Sequence, residues 1–279
     1  MWEQLKPFCD ALWIRDARTR DIQSILDTMV QTGRFNVTSV KHIKSFLSGV
    51  YRLALQQGYY EGPNPVRETS LPRTRPSEET YAYSLEEVLA MINAVPEPAA
   101  TMLATVAFTG VRKGELRGML WENYRDGEFL ISRSIWHGIA TEPKSKKSKA
   151  PIPIINNLAA RLALHRERQG TPIAGPVFQN RLGKPADMNN VLRRTIQPAL
   201  NAIGLQWHGW HALRRGLATN LHRLGVDDLT IQAILRHSNV SVTQTCYIKT
   251  VRADAVAAME KFEIALNDTK VTPKRLTVM

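Results

Sequence analysis

Apolar residues recur at helical spacing along most of the chain. Ile22, Ile25, Leu26 and Met29 fall three and four apart, which predicts a helix stopped by Gly33. Thr38 opens a longer stripe through Val40, Ile43, Phe46, Leu47, Val50 and Leu53, ended by Gly58. The two stripes together predict a small helical unit. The stretch EGPNPVRETSLPRTRPSEET that follows is rich in Pro, Ser, Thr and charge and reads as an extended linker. Ser84 with Glu87 three residues later predicts a capping box at the start of the helix LEEVLAMINAV. The boundary is therefore placed near residue 78, giving domains of residues 1–77 and 78–279.

Beyond that boundary, AATMLATVAFTG reads as a buried helix closed by Gly110, and a second helix starts at once in VRKGELRGMLW. From Glu128 to Ile154 the periodicity changes. The β-rich runs FLISRSIW and APIPI flank a basic tip, KSKKSK, as in a β-hairpin or meander. Helices resume in NNLAARLALHRERQG, ADMNNVLRRTIQPAL, the segment from His211, DDLTIQAILRH and RADAVAAMEKFEIAL. The expected class is mainly α with a small antiparallel β-sheet, an α+β fold in two domains.

Charge narrows the function. The chain of 279 residues has a net charge of +12 and a pI near 9.9. Up to Thr80 there are 11 basic residues against 9 acidic, and beyond it 26 against 16, so the excess lies in the second domain. A basic surface favours phosphate backbones or anionic membranes. No apolar run approaches the ~18 residues of a membrane span, and the N-terminus lacks a signal-peptide pattern. Two cysteines, Cys9 and Cys246, cannot form a disulfide framework, which fits a reduced cytoplasmic setting. Nucleic acid is the expected polyanion.

The candidate chemistry concentrates between His211 and Tyr247. His211 and Arg214 lie three apart and share a helix face, while His237 and Tyr247 bracket a short polar turn. This arrangement suits a phosphate held beside a phenol. Taken singly, each residue has a plainer reading. Arg112 at a helix start is most simply a surface ion-pair partner, His211 a satisfied core histidine, and the lysines near 144–149 a solvated tip. His208 and His211 are spaced as a metal pair, but no third ligand accompanies them. Asp227 and Asp228 sit where a helix N-cap belongs.

Five boxes, however, occur in order: TGVRKGEL, PKSKKSKAPIPI, HALR, LRHSN and a Tyr ten residues after His237. In order and spacing they resemble the tyrosine recombinases, or phage integrases, and the resemblance spans nearly the whole chain. It implies a helical, SAM-like core-binding domain followed by a mixed catalytic domain. It also implies Tyr247 as nucleophile, Arg112 and Arg214 as phosphate clamp, Lys144 as general acid, and His211 and His237 as supporting donors or base. Lys146 competes with Lys144, which is preferred because it precedes a small hydroxyl residue, Ser145. Glu115, one turn after Arg112, is expected to orient backbone or arginine. Lys41, Lys44, Lys146, Lys147, Lys149, Arg215 and Arg236 are the expected DNA-binding cations.

The implied activity is site-specific DNA cleavage and rejoining through a 3′-phosphotyrosyl intermediate and a Holliday junction, without metal or other cofactor. The implied partners are duplex DNA bearing a core site, three further copies of the chain in a tetramer, and accessory bending or directionality proteins. A nucleoid-associated cytoplasmic protein of a mobile element or prophage would fit. A type IB topoisomerase and a catalytically inactive relative are the alternatives. Two departures stand out. Relatives commonly write LGHSS where this chain has LRHSN, so Arg236 stands in place of glycine. The core-binding domain commonly carries a leading helix, for which only about a dozen residues precede Ile14.

Overall fold

The computed structural model describes residues 2–10, 12–73, 80–142 and 151–236. The chain divides into two compact units, residues 1–79 and 80–279.

The first unit is helical: α1 (Trp2–Cys9), α2 (Thr19–Gln31) and α3 (Val37–Gln56). The stripe read from the sequence is the buried face, with Ile22, Leu26, Met29, Val40 and Ile43 all nearly inaccessible. Helix α3 starts slightly before Thr38, because the Asn36 side chain accepts the Ser39 amide at 2.9 Å and caps it. Helix α1 is an addition to the expectation. It carries a fully buried Leu5 into the same core, so a helix does precede α2. The expected linker also begins later than its composition suggested. Val66 is buried, the Asn64 side chain donates through Nδ2 to the Ser48 carbonyl at 3.1 Å, and the Ser70 backbone amide donates to Gln23 Oε1 at 2.8 Å. The chain is thus folded back onto α2 and α3 as far as Ser70.

The second unit contains α4 (Leu85–Ala94), α5 (Ala99–Thr109), α6 (Lys113–Gly118), α7 (Asn156–Arg168), α8 (Met188–Val191), α9 (Gln197–Ala202), α10 (Trp210–Arg223) and α11 (Asp228–Leu235). Helix α5 is its centre. Every residue but Phe108 is buried, and α4, α7 and α10 pack around it. A helix buried on every side is stable only when surrounded, and its three threonines, Thr101, Thr105 and Thr109, each donate a hydroxyl hydrogen bond four residues back. The capping box read from sequence is present, with Ser84 Oγ accepting the Glu87 amide at 3.2 Å and a Glu87 carboxylate oxygen accepting the Ser84 amide at 2.8 Å. Asp227 caps α11 by accepting the Leu229 and Thr230 amides.

The sheet differs from a single hairpin. Strands β1 (Tyr124–Arg125), β2 (Glu128–Phe129) and β5 (Ile152–Pro153) form one antiparallel sheet in which Phe129 pairs with Ile152. A separate hairpin, β3 (Ser134–Trp136) and β4 (Ile139–Thr141), is interposed. Its turn is His137-Gly138, with φ of 47° and 82°. A two-residue turn with both φ positive suits the twist of paired strands. The run FLISRSIW is thereby split between two sheets. The stretch ADMNNVLRRTIQPAL is also more than one regular helix, since a π-helical segment, Leu192–Ile196, joins α8 to α9. Pro198 lies just past it and cannot donate to the carbonyl four residues back, which favours a locally wider turn. Among the described residues no helix is long and apolar enough to cross a membrane. The expected C-terminal helix RADAVAAMEKFEIAL lies outside the described residues.

Candidate active site

Arg112 enters the site from the junction of two helices. Helix α5 ends at Gly110, whose φ of 65° turns the chain out of the helix. Glycine is required there twice over. The backbone is left-handed, and a Cβ would stand 2.5 Å from Leu235 Cδ2 and 3.3 Å from Leu217 Cδ2. Two residues later Arg112 is the N-cap of α6. Helix α6 lies against β3 so closely that a Cβ on Gly114 would meet Ser134 Oγ at 2.5 Å. The spacing in TGVRKGEL therefore reflects packing as well as chemistry.

Glu115 is the hub. It is 4% exposed, and its Oε1 accepts Arg112 Nη1 at 2.8 Å. Its Oε2 accepts both the Arg112 amide at 2.9 Å and Arg236 Nη2 at 2.8 Å. Burial by itself would raise the carboxyl pKa, but the Arg236 and Arg112 guanidiniums and the Arg112 amide outweigh it and hold Glu115 below the ordinary carboxylate value. Glu115 thus contacts both arginine side chains and a backbone amide. Arg112 keeps its outer side open, with 39% of its side chain accessible.

Helix α10 brings in His211, Arg214 and Arg215. Arg214 is 2% exposed, and its guanidinium donates to the Gly110 carbonyl and the Leu235 carbonyl, at the C-terminal ends of α5 and α11. Helix C-termini carry partial negative charge, which suits a cation. His211, one turn earlier, is exposed. Desolvation by the protein around its inner side, then the Arg214, Arg215 and Arg112 charges, lower its pKa. The imidazole is therefore biased towards its neutral, proton-accepting form. Arg215 donates through Nε to the Tyr81 carbonyl at 2.7 Å. A short strap, Tyr81–Tyr83, thus runs along α10. The Asn220 side chain donates to the Tyr83 carbonyl at 3.3 Å, and a Cβ on Gly216 would stand 2.5 Å from that same oxygen.

The structure brings together Arg112, Glu115, His211, Arg214 and Arg236. Arg236, expected among surface DNA contacts, is 3% exposed and turned onto Glu115. Its guanidinium is engaged by a carboxylate inside the protein and does not lie on the surface. Lys144, Lys146, Lys147, Lys149, His237 and Tyr247 lie outside the described residues. His208 stacks face to face on Tyr81, ring centroids 3.8 Å apart. Among the described residues no three His, Cys, Asp or Glu side chains gather where a metal could be held.

In the first unit, Lys41 and Lys44 line an open groove of about 720 Å³ together with Arg52 and Arg67. Lys41 is exposed, whereas Lys44 donates through Nζ to the Thr69 carbonyl. Arg52 and Arg67 were missed in the sequence. The signal for Arg52 was available: Lys41, Ser45, Ser48 and Arg52 recur at helical spacing on the polar face of α3.

Residues 81–252 match the phage integrase family. The chain belongs to that family. Its members are tyrosine recombinases, site-specific enzymes that break and rejoin DNA. A XerC-like tyrosine recombinase of Caldanaerobacter subterraneus is 29% identical over 280 residues, covering 88% of this chain and 70% of that protein. The fold is that of the Tn1549 transposon integrase, solved with a circular intermediate DNA, at a TM-score of 0.74 and 15% identity over 93% of this chain and 92% of the other. It is likewise that of a lambda integrase tetramer bound to a Holliday junction, at a TM-score of 0.63 and 22% identity over 88% and 69%. The mainly helical architecture with small antiparallel sheets is the family's, as the sequence implied.

Proposed function

We propose that this family member cleaves duplex DNA at a specific core site and rejoins it through a 3′-phosphotyrosyl intermediate. The observation that carries the reading is the pairing of a half-exposed Arg112, fixed by Glu115, with a buried Arg214 beside a histidine biased towards its neutral form. Arg112 and Arg214 would bind the non-bridging oxygens of the scissile phosphate, where charge grows as phosphorus becomes five-coordinate. Losing one such donor costs roughly 3 kcal/mol of barrier, by analogy with oxyanion holes. Tyr247 would attack phosphorus through its phenol oxygen. A phenol of pKa near ~10 is protonated at neutral pH, so an acceptor is needed, and His211 would take the proton, with His237 supporting. The bond to the 5′-oxygen breaks as Lys144 delivers a proton to it. A 5′-hydroxyl from another strand can then reverse the step, since the phosphotyrosyl ester conserves the bond energy.

The groove lined by Lys41, Arg52 and Arg67 supplies a basic surface in the first unit, which we assign, as a helical core-binding domain, to DNA binding. Residues 78–279 would be the catalytic domain. A tetramer on two paired sites would exchange strands, by analogy with the lambda integrase tetramer bound to a Holliday junction, in the compartment that holds the DNA of a mobile element or prophage. Nicked suicide duplexes spanning the ends of the encoding element test the reading. Wild-type protein should form a denaturant-resistant adduct on a 3′-phosphate, and Tyr247→Phe should form none. Adducts in equal yield from both proteins would refute the assignment of Tyr247.

A further inference from the structure

Arg236 closes α11 in a left-handed conformation, φ 56°, that an arginine adopts at a cost. Its guanidinium is withdrawn from water, at further cost. What offsets both is Glu115, whose Oε2 it binds at 2.8 Å. The same carboxylate fixes Arg112 through its guanidinium and its amide. Consider the site without Arg236. Glu115 and Arg112 would form a one-to-one ion pair, formally neutral, in which the carboxylate competes with any incoming phosphate for Arg112. With Arg236 on the opposite side, the carboxylate's charge is shared between two guanidiniums. Arg112 is then held in place without being fully neutralised. Such effects are strong because the hub is buried, where charges are weakly screened.

We propose that Arg236 is a positioning residue for strand cleavage: by holding Glu115 from behind, it aims Arg112 at the scissile phosphate and leaves it free to bind. The proposal rests on the cleavage reading given above, but one of its tests needs no DNA. Arg236→Met keeps the bulk and removes the charge. In the free protein, carbon-13 NMR of the Glu115 carboxyl should show its titration moving upward in the variant. Nitrogen-15 relaxation of the Arg112 side chain should show it loosened. A merely structural role for Arg236 would move neither.

With nicked duplex, the rate of adduct formation by Arg236→Met should fall about 10- to 100-fold. That is less than the roughly 100- to 1,000-fold expected for a donor that touches the developing charge itself. Duplex affinity, measured in the Tyr247→Phe background, should stay within about twofold. In the Glu115→Gln background the same substitution should cost little, because the intermediary is gone. An unmoved Glu115 titration, or an equal loss of rate in both backgrounds, would overturn the proposal. If Arg236→Met does not fold, Arg236→Lys serves. It keeps the charge but not the planar fork, so Glu115 should stay ionised while Arg112 loosens and cleavage slows several-fold. Loosening of Arg112 with a wild-type rate would overturn the proposal too. Absence of any wild-type adduct would count against the cleavage reading, while the DNA-free measurements would still decide the role of Arg236 in holding Glu115.

Discussion

Gly110→Ala probes how tightly the two ends of the site are stacked. Two costs add. An alanine in the left-handed region costs about 1–2 kcal/mol, and Gly110 has φ 65°. Its methyl would also stand 2.5 Å from Leu235 Cδ2 and 3.3 Å from Leu217 Cδ2. Leu235 is 1% exposed and packed with Ile231 and Ala218, so its methyl can yield only by disturbing that cluster. Overpacking of this kind costs about 1–3 kcal/mol, and the lower half applies because the first atom struck ends a flexible side chain. The sum is about 2–4 kcal/mol, or roughly 5–15 °C of melting temperature for a unit of this size. Gly204→Ala is the matched control, because φ is 71° and nothing lies within 4 Å of the added Cβ. It should cost only the backbone share, about 1–2 kcal/mol. Thermal unfolding followed by circular dichroism compares the two. Gly110→Ala should also slow adduct formation beyond the control, since the Gly110 carbonyl holds Arg214. Equal melting temperatures for the two variants would refute the packing argument.

The acid limb of adduct formation should lie below the ordinary imidazole range, because desolvation of its inner side and three arginine charges disfavour protonated His211. Arg215→Met removes one of those charges, so the His211 pKa should rise and the limb should move to higher pH; a shift the other way in the pH-rate profile would contradict the assignment of the base. Gly216→Ala should destabilise the second unit by about 2–3 kcal/mol in denaturant titration, since its Cβ would meet backbone atoms of Tyr83 that cannot rotate away. A loss under about 0.5 kcal/mol would show that the strap is loosely held.

Where local rules decided the outcome, the sequence was readable. The stripe from Ile22 to Met29, the Ser84–Glu87 capping box, the stop at Gly110 and the cap at Asp227 depend on neighbours within a turn or two. So does Glu115, whose distance of three residues from Arg112 already placed the two on one face. What was not readable depends on remote partners or on weak signals. Helix α1 offers Leu5 as its single fully buried residue and carries Pro7, so periodicity gave little warning. The β3–β4 turn at His137-Gly138 is a poorer cue than Asn-Gly and was absorbed into a longer apparent strand. Arg236 was the hardest. A charge after a helix reads as surface, and only a carboxylate 121 residues away makes it interior.

Arg214 joins carbonyls that lie 104 and 21 residues from it in sequence. One bond needs α5 against α10 and the other α11 against α10, so both are in place only when the three helices have come together, and non-local contacts are slow to form. A nascent or partly unravelled chain therefore lacks the Arg214 arrangement that the proposed phosphate clamp needs. For a member of a family that breaks and rejoins DNA, the ability to break a strand would then be withheld until the unit that must also reseal it is complete.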